Sequence, residues 1–196
     1  CFFYKLHIAL VNFKLRHICV FSIKKIMDSK GNIVFLGMMG SGKTSLGSLI
    51  SKKLNLDFYD TDQIIEKKVG MKISKIFKIK GENFFRKVEE EITLDILKKD
   101  NVVIALGGGT FLNKNIRDKI LDSHLSFWLK WNSKTIINRI NKSEKRPLAF
   151  KLDPTQLATL IRKRSKIYVK ARFEINCNNL TKTQIIDKII NIYEKN

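Results

Sequence analysis

The sequence predicts a single α/β domain in which helices cover both faces of a parallel β-sheet. Three observations support this prediction. Apolar segments with the character of strands alternate along the chain with segments of helical periodicity. The segment at 101–109 is continuously apolar before its glycines, as strands buried on both faces are. The chain of 196 residues is long enough for one domain with a full hydrophobic core and too short for two of ordinary size.

The predicted elements follow one another in a regular order from Asn32. The predicted strands are NIVFL at 32–36, LDFYDTD at 56–62, NVVIALGGG at 101–109, LSFWLKW at 125–131 and RFEINC at 172–177. The predicted helices run from about Thr44 to Leu54, from about Glu82 to Lys98, from residue 133 onward, from Pro154 to about Tyr168, and from Thr181 onward. Additional helical segments before Glu82 are expected to break at Gly70 and near Gly81. Thr181 and Gln184 have the spacing of a capping box, which predicts the start of the last helix.

A glycine-rich loop, GMMGSGKT at 37–44, lies between the first predicted strand and the first predicted helix. Its spacing is G-x-x-x-x-G-K-[ST], a pattern whose backbone N–H groups surround a phosphate at the positive end of a helix dipole. In such a loop, Lys43 would contact the outer phosphates of a nucleotide and Thr44 would bind magnesium. The predicted phosphate-binding residues are Gly37, Gly40, Ser41, Gly42, Lys43, Thr44 and Ser45.

Two carboxylates, Asp60 and Asp62, stand at the end of the second predicted strand. Ligands of open α/β sheets bind beyond the carboxyl ends of the strands. Residues two apart in a strand share a face, so one carboxylate would hold hydrated magnesium and the other would meet an acceptor hydroxyl. Alternatively, one of them caps the following helix, and both roles are compatible.

The segment FFRKVEEE places Arg86 one helical turn from Glu89 and Glu90. Taken alone, this spacing is typical of a surface ion pair. The alternative is a guanidinium that grips a carboxylate or phosphate of a ligand.

The triple glycine at 107–109 follows a buried strand and indicates a backbone that a ligand nearly touches, with a plain turn as the alternative. The polar and basic segment at 141–153 lies between the helices that carry Arg139 and Arg164. It suits either a lid that brings an arginine to the transferred phosphoryl group or an ordinary exposed loop.

Composition narrows the class of protein. Three cysteines without a C-x-x-C pair indicate neither a disulfide framework nor a zinc site and fit a reducing cytoplasm. No apolar run approaches the roughly 18 residues of a membrane span, so we expect a soluble protein. The net charge of +20 comes from thirty Lys and eight Arg scattered along the chain. We interpret it as a solvated surface that attracts anionic substrates, and the alternative is a nucleic-acid partner.

Residues 1–26 contain no acidic residue and precede Met27, where a plausible start, MDSKGNIVFLG, begins. We expect them to lie outside the fold, as a targeting segment or an upstream extension of the reading frame, and expect the domain to span 27–196.

The motifs GMMGSGKT, DTD, GENFFRKVE, ALGGG, KRPLA and RKRSKIY, in this order, resemble those of the shikimate kinases, and the likeness covers about residues 31–191. The resemblance implies the nucleoside-monophosphate-kinase type of three-layer P-loop fold, with five parallel strands and a lid. It implies transfer of the γ-phosphoryl group of ATP to the 3-hydroxyl of shikimate, in chorismate and aromatic amino acid biosynthesis. It also implies an enzyme that uses Mg2+, and we expect a cytoplasmic monomer with neither a nucleic-acid nor a membrane partner.

The resemblance also implies roles for single residues. They are magnesium binding for Asp60, shikimate binding and proton removal for Asp62, pairing with the shikimate carboxylate for Arg86 and Arg164, backbone contact with the ring for Gly108 and Gly109, the lid arginine for Arg146, and contact with the adenine for Arg139. Lys170 and Arg172 depart from the acidic or small residues more usual in the family, and the adenine-side contacts near Asn176 and Asn178 stay unassigned.

Three other functions remain open from the sequence. A small P-loop kinase for gluconate or a nucleoside monophosphate would share the loop, but DTD, FRKVE and the triple glycine together suit a hydroxylated carboxylate better. A nucleotide-regulated nucleic-acid or protein-binding module would explain the charge and would bind nucleic acid in a salt-dependent way. An inactive family member is disfavoured because every matched catalytic position is present.

Overall fold

A computed structural model describes residues 31–142 and 153–196 of the chain. In this part of the chain strands and helices alternate as predicted. The strands are β1 (Ile33–Leu36), β2 (Asp57–Asp60), β3 (Val102–Ala105), β4 (Leu125–Lys130) and β5 (Phe173–Asn176). The helices are α1 (Lys43–Leu54), α2 (Thr61–Val69), α3 (Ile73–Leu97), α4 (Lys114–Ser123), α5 (Ser133–Asn141), α6 (Pro154–Tyr168) and α7 (Lys182–Glu194), with a 3₁₀ turn at Thr110–Leu112.

The strands form one five-stranded sheet in the order β2-β3-β1-β4-β5, and every pair is parallel. Val34 of β1 pairs in register with Ile104 of β3 and with Ser126 of β4, which places β1 at the centre. Parallel strands require crossover helices, and these form the outer layers. The predicted five-stranded parallel sheet with helices on both faces is confirmed.

Alternate residues of the strands pack into two separate cores. Val34 and Leu36 belong to one apolar cluster and Ile33 and Phe35 to the other, because successive side chains of a strand point to opposite faces. Helices α1 and α7 supply Leu46, Ile50, Ile185, Ile186 and Ile189 to the second cluster. Helices α2 to α6 cover the first, with Ile65, Ile76, Phe85, Ile92, Ile116, Ile120, Ile136, Leu157 and Ile161. The result is the predicted three-layer arrangement.

The predicted helix breaks lie at glycines. Gly70 ends α2 with a φ of 69°. Gly81 has φ 78° and ψ 170°, so it interrupts the helical hydrogen bonding inside α3. Both conformations are left-handed or extended with positive φ, which glycine adopts at little cost. The capping box of α7 is confirmed as well, since Gln184 N donates to Thr181 Oγ1 at 3.2 Å and Thr181 N donates to Gln184 Oε1 at 2.8 Å.

Helix α4 was not predicted. It is highly polar apart from a few apolar residues, and its core contact rests mainly on Ile116 and Ile120, which are fully buried. Asn113 caps it by accepting a hydrogen bond from Ile116 N at 3.3 Å. The spacing of four between the two isoleucines was the available sign of this helix.

Within the described ranges, no helix is long and apolar enough to cross a membrane.

Candidate active site

Three loops that the sequence analysis singled out lie side by side at the carboxyl edge of the sheet. β2, β3 and β1 are neighbours in that order. The carboxylates at the end of β2, the triple glycine after β3 and the glycine-rich loop after β1 therefore lie at adjacent strand ends. This is the edge where ligands of open α/β sheets bind.

The glycine-rich loop owes its shape to backbone conformations that glycine adopts more readily than other residues. Gly37, Gly40 and Gly42 have φ values of 138°, 80° and 93°, and Gly42 leads directly into α1. Lys43 is buried, and its Nζ donates to the carbonyls of Gly37 and Met38 at 2.9 Å each. The loop is thereby closed around the lysine at the N-terminus of a helix, where an anion is favoured.

Two serines of this loop differ in exposure. Ser41 is buried, and its Oγ has no hydrogen-bond partner among the described residues. Ser45 is exposed in the first turn of α1, beside the exposed Thr44. A buried hydroxyl without a hydrogen-bond partner costs free energy, so the Ser41 hydroxyl is available to donate to a bound phosphate.

Thr44 and Asp60, the two predicted magnesium ligands, are in direct contact. Thr44 Oγ1 donates to Asp60 Oδ2 at 2.6 Å. The other carboxylate oxygen, Oδ1, accepts from Gln63 N at 3.2 Å and so caps α2. Asp60 thus serves as the helix cap that the sequence left as an alternative, while it faces the phosphate loop.

The placement of Asp62 on a strand was wrong. β2 ends at Asp60, and α2 begins at Thr61 with no loop between them, so Asp62 lies in the first helical turn. The argument that both carboxylates share one face of a strand therefore fails. Asp62 nevertheless lies at the triple glycine, since a β-carbon at Gly107 would be 2.6 Å from its Oδ1.

Thr61, between the two carboxylates, connects β2 to the loop after β3. It is fully buried. Its Oγ1 donates to Ala105 O at 3.3 Å and accepts from Gly107 N at 2.9 Å. This pair of bonds fixes the start of α2, and with it Asp62, against the triple glycine.

The triple glycine is required by space and not by backbone conformation, because none of Gly107, Gly108 and Gly109 has a left-handed φ. A β-carbon at Gly108 would lie 3.3 Å from Arg164 Nη1. One at Gly109 would lie 2.7 Å from Arg86 Nη1 and 2.9 Å from Nη2. The close neighbours of Gly108 and Gly109 are thus the two arginines predicted to bind the acceptor. The sequence predicted a ligand near these glycines and did not predict the contact with the arginines.

Arg86 is not an ordinary surface ion pair. Its Nη1 donates at 2.7 Å to Glu89, whose side chain is only 3% exposed, while its Nε and Nη2 donate to Glu82 at 3.2 and 3.1 Å. Burial by itself lowers the pKa of Arg86, but the charge and hydrogen bonds of Glu89 and Glu82 outweigh it and raise the pKa. Glu89 also accepts from Thr110 Oγ1 at 2.7 Å, which fixes the carboxylate from the other side.

Arg164 and Tyr168 lie one turn apart on α6 and face the same glycine loop. The Nε and Nη1 atoms of Arg164 are buried and have no hydrogen-bond partner within the described part of the chain. The Tyr168 hydroxyl donates to the carbonyl of Gly108 and lies 3.9 Å from Met38 Sδ. Burial raises the pKa of Tyr168 to about 12, although the nearby Arg164 charge lowers it.

Arg139 lies over an aromatic ring beside the phosphate loop. Its guanidinium carbon is 3.8 Å from the centroid of the Trp131 ring, and its Nη1 donates to Gly40 O at 3.3 Å. Trp131 in turn donates from Nε1 to Ser41 O at 3.0 Å. Stacking of this kind holds a guanidinium flat, with one face available to a planar ligand.

A sequence model of the family described as shikimate kinase (SKI) matches residues 39–194. This chain belongs to the shikimate kinase family. The shikimate kinase of Thermodesulfovibrio yellowstonii is 41% identical over 165 residues, which are 84% of this chain and 95% of that protein. The shikimate kinase of Bartonella quintana is 36% identical over 179 residues, or 89% and 85% of the two chains. A solved structure described as shikimate kinase from Acinetobacter baumannii in complex with shikimate superposes with a TM-score of 0.80 at 26% identity, over 87% of this chain and 97% of that one.

Membership of the shikimate kinase family confirms the resemblance, the kinase class and the P-loop fold that were predicted. It is a family of ATP-using kinases, so the glycine-rich loop of this member is a nucleotide-binding loop. Membership of this family gives no support to the alternative that the +20 charge serves to bind nucleic acid.

The structure brings most of the predicted site residues of this shikimate kinase family member together. The phosphate loop, Thr44 with Asp60, Asp62, Arg86, Arg164 and the glycines Gly108 and Gly109 form one continuous site, and Arg139 borders it at the phosphate loop. Arg146 and residues 1–26 lie outside the described residues, and the predictions about them stay predictions.

Sequence reasoning assigned no role in the site to four of its residues, Thr61, Glu89, Trp131 and Tyr168. Each of them contacts a predicted site residue or its loop. Tyr168 had a sign in the sequence, because it follows Arg164 by one helical turn. The burial of Glu89 depends on packing against a loop distant in sequence, and no local pattern indicates it.

Proposed function

We propose that this chain transfers the γ-phosphoryl group of ATP to the 3-hydroxyl of shikimate, giving shikimate 3-phosphate and ADP for chorismate biosynthesis. The observation that carries the proposal is the convergence of Asp62, Arg86 and Arg164 on the glycine loop beside the phosphate loop. A small acceptor with a carboxylate at one end and hydroxyls at the other requires this combination of charges.

The nucleotide would occupy the loop from Gly37 to Ser45. Backbone N–H groups at the start of α1 would hold its phosphates, and Lys43 would exchange its carbonyl partners for phosphate oxygens. Arg139 would meet the adenine on the face opposite Trp131, since that ring covers the other face at 3.8 Å. Arg146 would contact the transferred phosphoryl group.

Thr44 and Asp60 fit a magnesium ion that arrives with the nucleotide. One hydroxyl and one carboxylate are the usual protein contribution when phosphates and water complete the coordination. No group of three or more His, Cys, Asp or Glu side chains in the described ranges forms a site for a resident metal. When bound, magnesium would neutralise charge on the phosphates.

Arg86 and Arg164 would bind the carboxylate of shikimate. Arg86 has five N–H donors, of which three are used by Glu82 and Glu89, so one donor on each Nη is left for a carboxylate. Arg164 adds the buried Nε and Nη1, which have no hydrogen-bond partner among residues 31–142 and 153–196 and therefore favour an anionic ligand at this position.

Asp62 would accept the proton of the 3-hydroxyl. The hydroxyl oxygen then forms a bond to the γ-phosphorus, while the bond from that phosphorus to the β–γ bridging oxygen breaks and ADP leaves. The chain mainly supplies positioning and charge neutralisation, which are the principal demands of phosphoryl transfer.

ADP release by the full chain tests this proposal, with ATP, Mg2+ and shikimate, gluconate or a panel of nucleoside monophosphates as acceptor. We expect turnover with shikimate and none with the other acceptors. The Lys43→Met variant is the control for a contaminating kinase, because its activity should be lost. Turnover with gluconate or a nucleoside monophosphate alone would show that the chain is a kinase whose acceptor is not shikimate.

Two further parts of the proposal concern the state of the protein. We propose that it acts as a monomer in the cytoplasm. Light scattering of the purified chain tests the first statement and fractionation of cells tests the second.

A further inference from the structure

The carbonyl and N–H groups of the triple glycine at 107–109, here called the glycine loop, differ in whether the protein itself hydrogen-bonds to them. Gly107 O accepts from Thr110 N at 3.2 Å, and Gly109 O accepts from Leu112 N at 3.0 Å. Gly108 O accepts from the Tyr168 hydroxyl. All three carbonyls of the loop are therefore occupied by donors of the protein itself.

Of the N–H groups of this loop, only one has an acceptor among the described residues. Gly107 N donates to Thr61 Oγ1. Gly108 N and Gly109 N have no acceptor among the described residues, and both glycines are partly exposed beside the side chains of Arg86 and Arg164. The loop therefore offers donors to a ligand and keeps its acceptors turned to the protein.

Tyr168 is the only side chain that holds one of these carbonyls, within the described part of the chain. It is 1% exposed, and its ring packs 6.0 Å from that of Trp128 under the site. With its pKa raised to about 12, the phenol stays protonated and remains a donor at every pH at which the enzyme would be assayed. The hydroxyl also lies near Met38 Sδ of the phosphate loop and interacts with the side chain of Arg164.

We propose that Tyr168 is a positioning residue of the acceptor site, which occupies the Gly108 carbonyl so that the glycine loop presents only N–H donors to an anionic acceptor. The proposal rests on the proposed function for the identity of that acceptor as shikimate. Without the hydroxyl, the Gly108 carbonyl has no donor and is free to turn its negative end toward the site. Electrostatic repulsion would then weaken the binding of a carboxylate.

The test compares steady-state kinetics of wild type, Tyr168→Phe and Tyr193→Phe. Tyr193 lies on α7 and packs against the apolar cluster on the opposite face of the sheet, so its variant makes the same chemical change away from the site. For Tyr168→Phe we expect the KM for shikimate to rise about tenfold, which corresponds to one lost hydrogen bond. The KM for ATP should stay within about twofold and kcat within about threefold.

A second measurement does not depend on turnover. Saturating shikimate should raise the melting temperature of wild type and of Tyr193→Phe by similar amounts, and that of Tyr168→Phe by clearly less, whereas Mg2+ and ADP should stabilise all three alike. This comparison needs only protein that is folded at low temperature, so a less stable Tyr168→Phe variant still gives an answer.

The outcomes separate this inference from the proposed function. If wild type does not phosphorylate shikimate, the proposed function fails. If wild type does so and Tyr168→Phe keeps the wild-type KM and thermal shift with shikimate, the role of Tyr168 is refuted. Equal losses toward shikimate and ATP would also refute it, because they would mean general damage to the fold.

Discussion

Gly109→Ala should damage binding of the acceptor and leave the fold intact. The new methyl group would lie 2.7 Å from Arg86 Nη1, 2.9 Å from Nη2 and 3.1 Å from Cζ, whereas ordinary contacts begin at 3.4 Å. The guanidinium must therefore move by about 0.7 Å, the difference between 3.4 and 2.7 Å. Because the guanidinium is the end of a flexible side chain, it can yield without a shift of the backbone.

The size of the effect follows from the bonds that this movement disturbs. Arg86 donates to Glu89 at 2.7 Å, and strong hydrogen bonds of this kind extend only to about 3.2 Å. A guanidinium displaced by that amount would also lose its alignment with a bound carboxylate. Hydrogen bonds to charged groups contribute about 1.5–3 kcal/mol, so we expect the KM for shikimate to rise about 10- to 100-fold.

Steady-state kinetics with varied shikimate and with varied ATP, together with thermal melting, measure this effect. The KM for ATP and the melting temperature should change little. Gly70→Ala is the matched control, because Gly70 has φ +69° and nothing within 4 Å of an added methyl group. That variant should show the reverse pattern, a lower melting temperature from backbone strain and an unchanged KM for shikimate.

An unchanged KM for shikimate in folded Gly109→Ala would show that the added methyl group does not disturb binding of the acceptor through Arg86. Arg86→Ala then decides which step was wrong. If this variant raises the KM, the guanidinium binds the acceptor but is not held against Gly109. If it does not, Arg86 does not bind the acceptor.

Three other predictions concern the site and its support. Lys43→Met and Asp62→Asn should each abolish ADP release without altering the far-UV circular dichroism spectrum, and normal turnover by either would overturn its assigned role. Thr61→Val should lower the free energy of unfolding in urea by about 1–3 kcal/mol because the buried Gly107 N–H loses its acceptor, and Thr61→Ser should recover most of it; equal stability of the two variants would contradict this. Burial lowers the pKa of His124 below its ordinary value of 6.5. As the pH falls below about 6.5, the imidazole therefore becomes protonated in the unfolded chain before it does in the folded one, and the free energy of unfolding should decrease. Urea unfolding of His124→Gln should show a weaker loss between pH 7 and 5, and a slope equal to that of wild type would exclude the effect.

Local sequence patterns predicted most of the fold. Strands β1, β3 and β4 were recognisable because both of their faces are buried, which produces continuous apolar runs such as VVIAL at 102–106. Helix α4 was missed because only three of its ten residues are apolar, which gives a weak signal in spite of the helical spacing of its two buried isoleucines. The strand assigned through Asp62 was too long because Asp60 both ends β2 and caps α2, so no turn residue marks the boundary.

The candidate site divides in the same way. The position of the glycine-rich loop between β1 and α1 was predicted because its motif is contiguous in sequence. Arg86 was ambiguous because the i,i+3 spacing to Glu89 is the same on a surface and in a site, and only the contact of Glu89 with Thr110 distinguishes them. Tyr168 and Gly108 are 60 residues apart, and no local pattern indicates their hydrogen bond.

The identity of the product decides whether the chain transfers a phosphoryl group to one hydroxyl of shikimate. The full chain would be incubated with ATP, Mg2+ and shikimate, and the product examined by phosphorus-31 NMR with proton coupling. We predict one phosphate monoester whose phosphorus couples to the proton on C3, formed in equal amount to ADP. ADP without any phosphorylated shikimate, or a phosphate on a different hydroxyl, would exclude transfer to the 3-hydroxyl.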